Sequence, residues 1–198
     1  MKRDGVTLQA FVFKNRGLLL SVPAAALTLF GRPSARSVAL GLPLAIAGEL
    51  VRCWAVGYSG ATTRNDAVTA PKLVTDGPYG YVRNPLYIGN FLTAAGFAFA
   101  FTGRNSCAAR CGLLGASLAA MAGVYAIIVP HEEAFLREQF GDAFDRYCER
   151  VPRLIPQRSS RGSAEARWDP DALLEAESKT FALFGAMLAA LVVKAGAA

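Results

Sequence analysis

The sequence predicts an all-α integral membrane protein with about five transmembrane helices and a cytoplasmic pocket formed by a loop and an amphipathic helical region. Three observations lead there. Of the 198 residues, 53% are hydrophobic, and they fall in blocks separated by polar stretches. Lysine and arginine are shared unequally between alternate connections. With five spans, the two long polar segments, 61–84 and 131–178, emerge on the same side of the membrane.

Residues 37–60, 86–102 and 111–130 each approach the ~20 apolar residues that cross a bilayer as a helix. Residues 18–30 and 181–193 are shorter. They span if Arg16 and Arg32, or Lys179 and Lys194, snorkel to the headgroups and the bilayer thins locally. Ahead of the first block, "VTLQAFVF" reads as an amphipathic lead-in lying in the interface. The opening "MKRDGVTLQAFVFKNR" is interrupted by charge and lacks the small-residue cleavage site of a signal peptide.

A cytoplasmic N-terminus puts fifteen lysines and arginines on that side and, in the connecting loops, four (Arg32, Arg36, Arg104 and Arg110) on the other, in line with the positive-inside rule. The expected location is therefore the cytoplasmic (inner) membrane, with the N-terminus and pocket facing the cytosol. The formal net charge of +6 follows from topology and anionic lipid, and no nucleic-acid-binding motif accompanies it. Cys53, Cys107, Cys111 and Cys148 form no C-x-x-C pair, and His131 is the sole histidine, so no metal site is expected.

Within the second span, "GELVRCWA" (48–55) sets Glu49 and Arg52 one turn apart, where each can neutralise the other. Such residues mark either a functional lumen or a structural pair. Between spans two and three the chain is punctuated by Pro and Gly. Its end, "GPYGYVRNPLYIG" (77–89), runs into span three, with Asn84 suited to the cap and Pro85 to the first turn. Two meanings stay open for it. It is a capped helix mouth with Tyr79, Tyr81 and Tyr87 as interfacial anchors, or it is one wall of a polar pocket.

Glu132 and Glu133 follow the apolar end of span four at an expected helix start. They serve there as dipole complements, or as carboxylates that hold a ribose diol or a cationic group. Beyond them Leu136, Phe140, Phe144, Tyr147 and Val151 recur at helical spacing. Gly141 is expected to divide this stretch into two helices, with Asp142 capping the second, and "VPRLIP" to end it. Residues 157–179 read as a linker to a membrane helix at 180–194.

Taken together, "LVTDGPYGYVRNPLYIG" and "EEAFLREQFGDAFDRYCERVPRLIP" resemble the isoprenylcysteine carboxyl methyltransferase and phospholipid methyltransferase superfamily. Its usual pattern is "G-P-Y-x-x-x-R-H-P-x-Y-x-G", an acidic pair, then "F-G-x-x-Y-x-x-Y-x-x-R-V-P". "GELVRCWA" is similar to the Arg-Trp stretch preceding it. The resemblance covers about 45–156 of a single membrane domain over 1–198.

It implies a membrane-embedded methyltransferase whose cofactor pocket holds S-adenosylmethionine. Carried over, the cofactor-binding positions are Pro71, Lys72, Leu73, Val74, Tyr79, Asn84, Pro85, Leu86, Tyr87, Glu132 and Glu133. Glu49 is the expected holder of an ammonium headgroup, and Arg83 of a substrate phosphate or carboxylate. Two departures matter. Asn84 stands at the family histidine and cannot act as an acid or base near neutral pH. Ile128 stands where the carboxyl methyltransferases carry a substrate-contacting arginine. A phosphatidylethanolamine-like amine is therefore expected ahead of a prenylcysteine carboxylate, with lipid and membrane as partners and no protein partner implied. A nicotinamide-dependent reductase of the sterol reductase type and a non-catalytic lipid-binding protein are the competing readings.

Overall fold

The computed structural model describes residues 7–60, 70–157 and 167–196, and among these it is all-helical. Its elements are α1 (Leu8–Phe30), α2 (Ala35–Ser59), a single 3-10 turn (Gly77–Gly80), α3 (Pro85–Phe101), α4 (Cys107–Phe140), α5 (Asp142–Arg150) and α6 (Pro170–Gly196). Four of these helices, α1, α2, α4 and α6, are long and apolar enough to cross a membrane. Between 17% and 28% of the most apolar stretch of each is buried, so most of that apolar surface faces outward. Leu18, Val22, Leu40, Leu50, Leu183 and Val193 are exposed examples. Such a surface is costly in water and suited to acyl chains. The fifth apolar helix, α3, has 17 residues and reaches about 25 Å.

The helix limits depart from the sequence reading in four places. The segment "VTLQAFVF" is no separate lead-in: Thr7 caps α1 through its hydroxyl, and the helix runs unbroken from Leu8. The acid pair does not begin a helix. It lies inside α4, which continues through Pro130 to Phe140, so dipole complementation is not its role. The divide at Gly141 is present, with φ +49°, but Gly141 itself is the N-cap of α5, and Asp142 makes no capping bond. The last helix begins at Pro170 rather than 180, with Asp169 accepting from the amides of Asp171 and Ala172. Lys194, expected to snorkel, instead donates to the carbonyls of Leu29 and Gly31 at the C-terminal end of α1.

α2 and α3 form the centre, antiparallel and very close. A Cβ on Gly96 would lie 2.3 Å from the Ala45 nitrogen and 2.7 Å from the Gly41 oxygen, and one on Gly48 would lie 2.4 Å from the Thr93 nitrogen. Small residues at these positions let the two backbones touch, the usual basis of helix association in lipid. Ser37 caps α2 reciprocally with Ser34 and places its Oγ 2.8 Å from the Ala100 carbonyl, pinning one end of the pair. α1 and α4 pack together through Val12, Phe13 and Ile128. α6 lies against α2, contributing Met187 and Leu191 to a core with Leu27, Phe97 and Phe101.

Candidate functional site

Loop 70–84 is held against the ends of α4 and α5 by backbone and side-chain ties. Gln139 Nε2 donates to the Ala70 carbonyl at 2.5 Å. The 3-10 turn begins on a glycine that no other residue replaces cheaply: Gly77 has φ +58°, and a Cβ there would sit 2.4 Å from the Tyr58 ring. Tyr147 Oη donates to the Tyr79 carbonyl at 2.8 Å. Burial pushes both phenols above the usual tyrosine range, so each stays protonated and can donate. The "VPRLIP" segment then runs alongside the turn, with Arg83 N donating to Pro152 O at 2.8 Å and Gln157 N to Tyr81 O at 3.2 Å.

The acid pair divides its work. Glu133 faces this seam, where Arg83 Nε reaches its Oε1 at 3.1 Å and the Arg153 guanidinium makes a second ion pair with it. Arg83 also donates to the carbonyls of Val151 (2.7 Å) and Cys148 (3.2 Å). Asn84 Nδ2 donates to the Arg153 carbonyl at 3.2 Å and lies 3.5 Å from Glu133 Oε1, so its side chain ties the seam instead of capping α3. Glu132 faces the other way and accepts from Tyr87 Oη at 2.7 Å. The Tyr87 ring in turn packs on Tyr125, with centroids 4.4 Å apart.

Farther along α2, Arg52 joins three helices. Its Nη2 donates to Glu177 Oε2 of α6 at 2.6 Å and to Thr180 Oγ1 at 3.3 Å. Its Nη1 meets Asn90 Oδ1 of α3, and its Nε lies 3.6 Å from Glu49 Oε2. Intramembrane charges are costly unless paired, and each of these groups offsets another.

A cavity of about 800 Å³ runs between the two clusters, within the usual size range of small-molecule sites. Every site residue expected from the sequence lines it: residues 71–74, Tyr79, Arg83, Asn84, Pro85, Leu86, Tyr87, Glu132, Glu133 and Glu49. Pro85 and Leu86 do so as wall rather than as polar contact, Pro85 being fully buried and Leu86 packing beside Val56 and Leu173. The sequence reading missed Glu177, Asn90 and Tyr125, which line the cavity, and Arg153, which pairs with Glu133 beside it. For Glu177, an acid two turns into the last apolar helix was the available signal, but its separation of 125 residues from Arg52 hid the pairing.

The family model described as phospholipid methyltransferase matches residues 37–143. The chain is 33% identical over 92 residues to the protein-S-isoprenylcysteine O-methyltransferase of Schizosaccharomyces pombe, covering 42% of this chain and 33% of that protein. It is 32% identical over 120 residues to the nickel-cobalt-cadmium resistance protein NccN of Alcaligenes xylosoxydans xylosoxydans, covering 61% and 48%. It is 33% identical over 129 residues to the cobalt-zinc-cadmium resistance protein CzcN of Cupriavidus metallidurans, covering 65% and 51%. The chain thus spans between a third and about half of the length of the curated relatives it matches. No solved structure matches it.

Proposed function

Because this chain belongs to the phospholipid methyltransferase family, we propose that it moves a methyl group from S-adenosylmethionine to a lipid or small lipophilic acceptor at the membrane surface. The acceptor we favour is an amine of the phosphatidylethanolamine type rather than a prenylcysteine carboxylate. The observation that carries this reading is the continuous cavity between the loop cluster and the buried charges of α2 and α6, which gives two ligands one place to meet.

The residues present fit the cofactor's chemistry. Glu132 spends one hydrogen bond on Tyr87 and keeps further lone pairs for the hydroxyls of a ribose. Tyr79 and Tyr87 offer aromatic surface to a base or a sulfonium cation, and residues 71–74 offer backbone groups. Bound there, S-adenosylmethionine supplies an electrophilic methyl group on a positively charged sulfur. The protein's share is alignment and exclusion of water, which lower such barriers by several kcal/mol, on the order of 7–11 in well-oriented intramolecular reactions. An amine arrives protonated and must first lose that proton. The Glu49 carboxylate, on the cavity wall, is the group we assign to take it, freeing the nitrogen lone pair. Ile128, buried against Val12 and Phe13, offers nothing to a carboxylate acceptor, which supports the amine.

We further infer that the whole chain forms one membrane unit and that the cavity opens to the cytosol, from the fifteen-to-four distribution of basic residues. The test is titration of S-adenosylmethionine and S-adenosylhomocysteine into protein in lipid nanodiscs, followed by radiolabelled methyl incorporation into a total lipid extract. Glu132→Ala and Tyr87→Ala, with unfolding temperatures checked, should each lose cofactor affinity. Retained affinity in both refutes the site.

A further inference from the structure

We infer that residues 153–156 form a hoop that seats Leu154 and Ile155 in the headgroup–acyl boundary of the bilayer, beside the C-terminal end of α2, so that the partner of this surface is lipid. The surface depends on α2 spanning the membrane and not on the reaction proposed above.

Two backbone bonds to the mouth of α3 close the hoop: Arg83 N donates to Pro152 O at 2.8 Å, and Gln157 N donates to Tyr81 O at 3.2 Å. Prolines at 152 and 156 stiffen its two ends. Arg153 reaches inward, its guanidinium on Glu133 and its carbonyl accepting from Asn84 Nδ2 at 3.2 Å. Leu154 and Ile155 face outward instead, 50% and 78% exposed. The interior nearby does take apolar side chains, for Val151 is buried with Phe144 and Tyr147. Leaving two adjacent aliphatic side chains in water forgoes the burial that stabilises such residues elsewhere in the fold, whereas acyl chains accept them.

The neighbouring surface indicates what covers them. Tyr81, at one of the two ties, is exposed, and its ring lies 5.9 Å from that of Trp54 on α2. Trp54 is exposed as well and stands one turn beyond Leu50, so both lie on the outward face of α2. Trp168 meets α2 at the same level, its Nε1 donating to the Cys53 carbonyl at 3.2 Å. Tryptophan and tyrosine gather where a bilayer meets water, because they offer apolar area with a polar edge. The lipid-facing surface of α2 is therefore continuous with the hoop through Trp54 and Tyr81. The adjoining α5 turns charge outward, with Asp142, Asp145, Arg146, Glu149 and Arg150 exposed, and that face suits water. Leu154 and Ile155 thus mark the level at which lipid gives way to solvent.

The test places p-benzoylphenylalanine, a photoreactive side chain, in the full chain in place of Ile155, Leu154, Leu50 or Glu149, one position at a time. Each protein is held in phosphatidylcholine nanodiscs with tritiated acyl chains, and thermal unfolding checks that it is folded. On irradiation, positions 154 and 155 should capture labelled lipid comparably to position 50 on the outward face of α2. Both should exceed position 149 by on the order of tenfold, because acyl chains are excluded from water. Should the substitution at Ile155 prevent folding, the one at Leu154 supplies the same reading. Labelling at these two positions no higher than at 149 overturns the inference. So does capture of a second copy of the chain in place of lipid, read as a band of twice the mass. Absence of label at position 50 as well would refute the span of α2 and the seat of the hoop with it. Lipid capture by a protein that transfers no methyl group would defeat the proposed reaction and leave the hoop standing.

Discussion

Replacing Gly96 with alanine tests whether the α2–α3 contact sets the geometry of the cavity. The added Cβ would lie 2.3 Å from the Ala45 nitrogen, 2.7 Å from its Cα and 2.7 Å from the Gly41 oxygen, all backbone atoms that cannot swing aside. Restoring ordinary contact requires the helices to part by about 1 Å, and overpacking of this kind costs about 1–3 kcal/mol. At ~2–4 °C per kcal/mol for a chain of this size, the unfolding midpoint should fall by about 2–12 °C. Asn90 and Thr93 sit on the α3 face that meets α2, so the displacement also reaches the bond between Asn90 and Arg52. Misplacement by about 1 Å can cost on the order of 100-fold in turnover. The matched control is Gly123→Ala, on α4, where a Cβ meets nothing within 4 Å. That change should be neutral or stabilising by up to ~1 kcal/mol, since alanine is the better helix former. The assay is thermal unfolding in nanodiscs beside radiolabelled methyl transfer. If both variants shift the midpoint in the same direction by the same amount, the close-contact argument is wrong.

Glu132→Gln keeps the shape of the side chain but removes its charge, and should weaken S-adenosylmethionine binding by about tenfold in calorimetry, with little change in unfolding temperature. Arg83→Ala should act as a stability defect first. It abandons the Glu133 ion pair and two carbonyls, and it should cost less than the ~3–5 kcal/mol of a wholly unpaired buried charge because Arg153 remains. A stable Arg83→Ala protein that had lost only acceptor binding would return Arg83 to the substrate-contacting role. Tyr147→Phe removes one hydrogen bond to the Tyr79 carbonyl and should cost about 1 kcal/mol, read as faster hydrogen exchange in residues 77–82.

The parts legible in the sequence were those written in local pattern. Blocks of apolar residues located the four helices long enough to cross a membrane and the shorter apolar α3, and Gly141 marked the break before α5 because a positive φ there suits glycine. The loop of residues 71–87 and the acid pair reached the same cavity because each is a short motif with its own turn or charge signature. Helix ends were less legible. A helix start was expected at the acid pair, yet α4 runs unbroken through Pro130 to Phe140; a proline inside a helix costs one backbone bond, which a long helix tolerates when its neighbours pack it. The first ten residues of α6 are polar enough to read as linker, and the Asp169 cap with contact to α2 through Leu173, Ala176 and Glu177 explains their helicity. Pairings across large separations, Arg52 with Glu177 and Arg153 with Glu133, leave no periodic trace and became visible only in three dimensions.

α4 has a mechanical meaning as well. Its 34 residues make a rod of about 50 Å, some 20 Å longer than the hydrocarbon layer it crosses. Glu132 therefore rides on the protruding arm of a lever whose fulcrum lies among the acyl chains. Ser117 is buried about a third of the way along the rod, and tilting the arm by roughly 10° about that level would sweep the carboxylate through about 4 Å. Bilayers of different thickness impose different tilts on a rod of fixed length, so lipid composition becomes a setting for the alignment of the reacting groups.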